Sequence, residues 1–189
     1  YSIDSTEADV IILGSSRAHE HYIPSIIGDS LNLTCFNTGM DGNYMLNSYA
    51  VYKSLVERYT PRVVIMDISL NELFIDAGGY DELSSLLPYY KNKPEIKDVL
   101  LLKSKFEKLK LMSEVYPFNS TLLAIAEGII RDEDITELKG YLPLYGSLKD
   151  TSIKYTNERY FEVDTNKLKV LDAIASSCKS NNIRLVFVQ

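Results

Sequence analysis

Val10–Ile11–Ile12–Leu13–Gly14–Ser15–Ser16–Arg17 is the stretch that decides how this chain folds. Four apolar residues, three of them β-branched, run straight into a Gly-Ser-Ser turn. A run this short and unbroken reads as a parallel strand buried on both faces. Gly14 permits a sharp backbone turn, and Ser15 and Ser16 fall where the next helix begins. In an open α/β sheet, ligands bind at the carboxyl ends of the strands near a topological switch point, so a serine in this position faces the ligand crevice.

Working outward, residues 1–8 are a polar lead-in. After the serine turn, Pro24 suits the first turn of a short helix running to Gly28. Leu33–Asn37 reads as a second strand and enters a loop with two glycines, Gly39 and Gly42. Tyr44, Leu46, Tyr49, Tyr52, Leu55 and Val56 recur at helical spacing and predict a helix over 43–59. Arg62–Ile68 is a third strand of the buried type. The alternation β-α-β-α-β predicts a three-layer α/β/α domain, flavodoxin-like, with strand order 2-1-3-4. Residues 74–165 are too many for a simple crossover and are read as a mostly helical insertion within the domain. It has loops at Gly78–Gly79, Pro88 and Pro94, a helix over 95–113, another over 120–131, and irregular chain around Tyr141, Pro143, Tyr145 and Gly146. Its tyrosines suit core packing and sugar contacts alike. A helix over 165–181 and a strand over 183–188 complete the 189 residues. The expectation is a single domain, 1–189, incomplete at its carboxyl end, where the chain stops at the end of a strand.

Composition narrows the function. A net charge of -6 with no basic stripe argues against nucleic acid as a partner. No apolar run is long enough to span a membrane; the chain starts at Tyr1, so a signal peptide or a membrane anchor outside this chain stays open. Cys35 and Cys178 are two and far apart, and read as buried free thiols. His19 and His21, the two histidines, make no metal set, and the lysine of a phosphate-binding P-loop is missing. Neither metal nor organic cofactor is expected.

Three strand ends carry unusual residues: Ser16 after the first, Gly42 after the second and Asn71 after the third. In a parallel sheet all three lie on one edge. A hydroxyl nucleophile, a glycine N–H and an asparagine amide are the parts that hold a tetrahedral oxyanion. The plainer readings are a capping serine, a turn glycine and an Asx-turn asparagine. Arg17 suits either an anionic substrate group or a salt bridge near the helix start. His21 is offered as a substrate-binding residue; as a replacement base it would need the chain to fold back on itself.

On these residues the chain resembles the SGNH, or GDSL-like, hydrolase superfamily. Gly14–Ser15–Ser16 is similar to the family's Gly-Asp-Ser block, with the nucleophile at Ser16. Gly42 in Asn37–Gly42 stands where the oxyanion glycine of the second block does. Ser69–Leu70–Asn71–Glu72 resembles the Gly-x-Asn-Asp block, with Asn71 as side-chain donor. The Gly-Ser-Ser-Arg form is closer to an extracytoplasmic branch that includes polysaccharide O-acylation proteins. The resemblance covers 9–72 well, the last helix and strand loosely, and the insertion not at all. It departs at Ser15, Ser69 and Glu72, and no Asp-x-x-His block, the family's source of the general base, is present. What it implies is a periplasmic or cell-surface serine esterase or O-acyltransferase acting on an acylated carbohydrate or another small ester, with the base supplied from beyond Gln189. The alternative is the same fold without catalysis, binding a glycan or a partner protein.

Overall fold

The computed structural model describes residues 2–42, 44–118, 138–145 and 162–189. Its centre is a four-stranded, all-parallel sheet in the order β2-β1-β3-β4, built from β1 (Val10–Leu13), β2 (Cys35–Asn37), β3 (Val63–Asp67) and β4 (Arg184–Val188). Val10 pairs with Cys35 on one side and Val63 on the other, and Val63 pairs in turn with Arg184. This is the predicted α/β architecture and strand order.

Successive side chains of a strand point to opposite faces, and β1 is buried on both. Ile11 and Leu13 join the larger core, with Leu46 and Ala50 of α3 (Met45–Arg58) and Ile174 and Cys178 of the last helix, Thr165–Ser180. Val10 and Ile12 pack on the other face with Ala18 of α1 (Ser16–His21) and Ile27 of α2 (Pro24–Leu31). Helices therefore cover both faces of β1, which makes three layers. β4 is the least covered strand, with Val186 and Phe187 exposed.

Several local expectations change. The first crossover holds two helices, α1 and α2, broken at Tyr22–Ile23 because the residue before Pro24 is pushed out of the helical region; Ile23 is extended at φ -91, ψ 108. The second of them runs past Gly28 to Leu31. The second strand is three residues long. Residues 2–8 are no loose lead-in: Ile3 and Thr6 are buried, and the Arg58 guanidinium donates to both of their carbonyls. Gly78–Gly79, expected as loop, lie in α4 (Ala77–Asp81), whose first N–H groups donate to the Asp76 carboxylate.

The single helix expected over 95–113 is a series of short turns, including α5 (Lys97–Leu100) and α6 (Glu107–Lys110). Ser104–Lys105–Phe106–Glu107 is a turn that leads into α6: the Glu107 N–H donates to the Ser104 carbonyl, and the Ser104 hydroxyl donates to the Glu107 carboxylate at 2.7 Å. Glu107 is fully buried. Burial pushes its carboxyl up, but donation from Tyr116, Ser104 and Lys110 outweighs this and holds it below its ordinary value. The helix expected over 120–131 lies outside the described residues, as does Gly146; Tyr141, Pro143 and Tyr145 are irregular as expected. The two ends of the insertion are zipped together. Phe74 bridges Val163 antiparallel, Ile75 donates to the Glu162 carbonyl, and Asp164 donates to that of Leu73. The last helix, α7 (Thr165–Ser180), starts directly after this seam, capped by Asp164. Both cysteines are free and buried.

Candidate active site

The strand order puts the ends of β2, β1 and β3 side by side, and each end carries one of the sequence-predicted residues. Adjacent strands lie about 4.8 Å apart, so the loop after β1 is flanked by the other two.

Gly14 leaves β1 at φ +156, and a Cβ there would stand 2.7 Å from the Ala18 Cβ and 3.0 Å from the Asp67 Cβ. The backbone of this turn is thus wedged between α1 and the end of β3. Ser15 is the N-cap of α1, in extended conformation, and its side chain makes no capping bond. Ser16 is the first helical residue, half-buried, and among the described residues its hydroxyl has no hydrogen-bond partner. The capping explanation therefore applies to neither serine. Gly42 sits in the turn after β2 at φ +75 and is exposed. Asn71 lies in a 3₁₀ turn, Leu70–Leu73, with an exposed side chain that makes no bond among the described residues. Its carbonyl accepts from Phe74 N–H, but the Asx-turn is not formed. Ser16, Gly42 and Asn71 share one edge without being hydrogen-bonded to each other.

Arg17 spends two of its donors inside the protein. Its Nε and Nη2 each reach an oxygen of Asp67 at 2.7 Å, and the Tyr22 hydroxyl donates to the same carboxylate at 3.0 Å. Asp67 ends β3 with its side chain 1% exposed, while that of Arg17 is 40% exposed. This carboxylate ties α1 to the neighbouring strand. Burial, together with the Asp67 carboxylate, pushes the Tyr22 phenol up to about 12, so it remains a donor at any ordinary pH. Arg17→Ala should lower the unfolding free energy by about 2–3 kcal/mol, because a buried carboxylate loses its bidentate partner while the opened space admits some water. Arg17→Lys should restore less than half, since one ammonium does not span both oxygens. Urea unfolding measures both; an Ala variant within about 0.5 kcal/mol of wild type would contradict a structural role for the clamp.

Both histidines lie in α1. The exposed His21 turns its Nδ1 to the Arg17 carbonyl at 3.0 Å. His19, whose side chain is 18% exposed, faces Asp41 Oδ1 at 3.3 Å through its Nδ1. Asp41 precedes Gly42, so α1 and the loop after β2 are linked here. Three groups escaped sequence reasoning: Asp67, Asp41 and Lys167. Lys167, 1% exposed in α7, donates from Nζ to the Phe74 carbonyl at 2.7 Å and so anchors the chain just after the Asn71 turn.

Ser69 and Glu72 form a capping box around that turn. Burial drives the Glu72 carboxyl above its ordinary value; the Ser69 N–H opposes this, nearby Asp67 adds to it, and Arg17 and Lys167 offset part. A group whose folded pKa is raised contributes stability below its unfolded pKa and loses it as pH rises through the folded one. Glu72→Gln keeps an acceptor for Ser69 and removes the charge. Its stability relative to wild type should therefore rise from pH 4 to pH 7.5, as read from urea midpoints; a difference that stays flat or falls contradicts this.

No protein-family model matches the chain, and no curated protein does. Chemically, the edge offers a hydroxyl at a helix start and a carboxamide, neither with a partner among the described residues, and one left-handed glycine turn. Among the described residues no three His, Cys, Asp or Glu side chains are grouped to hold a metal ion.

Proposed function

We propose that the chain is an SGNH-type serine esterase or O-acyltransferase module acting on an acylated carbohydrate outside the cytoplasm. The observation that carries the reading is the strand order β2-β1-β3, which sets Gly42, Ser16 and Asn71 on one sheet edge in the order the resemblance requires. Ser16 Oγ attacks the ester carbonyl carbon, its proton passes to a base, and the carbonyl oxygen takes the negative charge. The N–H groups of Ser16 and Gly42 and the Asn71 amide donate to that oxygen. Collapse of the intermediate expels the sugar alkoxide, which takes up the proton. The acyl-serine then passes its acyl group to water or to a second hydroxyl. Arg17 and Asp67 position the nucleophile through α1.

The second reading, a binding module on the same fold, draws on one observation: among the described residues no imidazole is bonded to the Ser16 hydroxyl, and the Nδ1 of His19 is turned to Asp41. Hydrolysis of p-nitrophenyl acetate and of a panel of acetylated sugars, by the full-length wild type beside Ser16→Ala, separates the two. Turnover lost in the variant supports the enzyme. Equal rates with every substrate would leave a binding site to be tested on glycan arrays.

A further inference from the structure

The insertion carries an exposed apolar stripe. Phe106, Leu109, Met112 and Val115 follow each other at three-residue intervals and are 68%, 67%, 78% and 64% exposed. Leu109 donates to the Phe106 carbonyl and Met112 to that of Leu109, alongside the four-residue bonds of Lys110 and Leu111, and side chains three apart on such turns are neighbours, so Phe106, Leu109 and Met112 fall on one side of α6 and its flanking turns. The opposite side of the same turns is anchored inward by the buried Glu107 and Leu111. The stripe is therefore held outward by the fold.

Its charge pattern is one-sided. Lys105 and Lys108 are exposed beside the stripe and have no carboxylate partner among the described residues, while Lys110 is paired with the buried Glu107. Of the two carboxylates in the segment, Glu107 is buried and satisfied by Ser104, Tyr116 and Lys110. Glu114 is paired with Lys91 at 3.0 Å. A protein with net charge -6 thus presents a local basic patch around large apolar side chains. Bulky apolar residues flanked by lysines on a short amphipathic element are the chemistry of the membrane interface, where the apolar side chains enter the headgroup boundary and the ammonium groups meet anionic lipid.

We propose that residues 105–115 are a docking surface for an anionic lipid bilayer, lying in its interface. No helix among the described residues is long and apolar enough to cross a membrane. The inference stands apart from the esterase reading and survives its failure.

The test is co-sedimentation of the whole chain with vesicles of phosphatidylcholine containing about a third phosphatidylglycerol, and with phosphatidylcholine alone. Binding is expected to the anionic vesicles, to weaken with added salt, and to be weaker on the neutral ones. Phe106→Ser, Leu109→Ser and Met112→Ser combined should cut the bound fraction at least about tenfold. Lys105→Gln with Lys108→Gln, which leaves the apolar stripe intact, should cut it about fivefold per lysine at low salt. All five side chains face solvent, so circular dichroism and urea midpoints should match wild type. Absence of binding to the anionic vesicles overturns the proposal, as does a serine variant that binds as wild type does. Dimerisation that the serine variant abolishes, measured by sedimentation velocity, would give the stripe to a second copy and equally overturn it.

Discussion

Ser16→Ala is expected to abolish ester hydrolysis while leaving the fold untouched. The structure makes this a clean experiment. Ser16 is not the N-cap, and its hydroxyl has no partner among the described residues, so removing it should change the unfolding free energy by no more than about 0.5 kcal/mol. A capping or packing serine would show the reverse, with lost stability and unchanged rate. Asn71→Ala gives the second half of the result. Its amide makes no bond among the described residues, and an oxyanion donor of this kind is worth about 10²–10³ in rate. Asn71→Asp should lose more, since it replaces the donor with a negative charge beside the developing one. Rates for the alanine variant within about threefold of wild type, against the 10²–10³ expected, would remove Asn71 from the site.

Gly14→Ala is expected to cost the fold about 3–5 kcal/mol, a large share of the stability of a domain this size. Two penalties add. At φ +156 an L-residue is strained. The new methyl would also stand 2.7 Å from the Ala18 Cβ and 3.0 Å from the Asp67 Cβ, and neither is the far end of a flexible side chain. Relief requires α1 to move off β3, which also stretches the Arg17–Asp67 clamp. Urea unfolding with a tryptophan-free probe, such as far-ultraviolet circular dichroism, reads the change. A loss under about 1 kcal/mol would mean that the turn relaxes without disturbing the helix.

The sheet was legible because its strands are short apolar runs ending in turn residues. Val10–Leu13 and Val63–Asp67 stand out by composition, and the βαβ alternation leaves few topologies open. Ser16, Gly42 and Asn71 were found because each lies within a few residues of such a strand end. What failed to show were partnerships across the sequence. Asp67 looked like the tail of a strand, and nothing local links it to Arg17. Nothing around Lys167 in the sequence shows that its ammonium is buried against a carbonyl from the loop after β3. The tyrosines divide similarly. Tyr52 is bonded to Ser177, Tyr80 to Asp164 and Tyr116 to Glu107, so these three staple the fold together. The 95–113 stretch misled because Ile96, Leu100, Phe106, Leu109 and Met112 fall near one helical period, while the chain breaks between Leu100 and Glu107 and the last three of them face outward.

The sheet has a kinetic consequence as well. Every strand pair is parallel, so none can form through a hairpin, and the pairing of Val63 with Arg184 must wait for the whole insertion to be spanned. Non-local pairing of this kind slows folding, because loop-closure entropy is lost before any contact is gained. The β2-β1-β3 unit can assemble first from the amino-terminal third of the chain, and β4, exposed along Val186 and Phe187, joins last. In hydrogen exchange, the amides of β4 should accordingly open first among the four strands, and those of β1, enclosed on both faces and both edges, should open only when the whole molecule does.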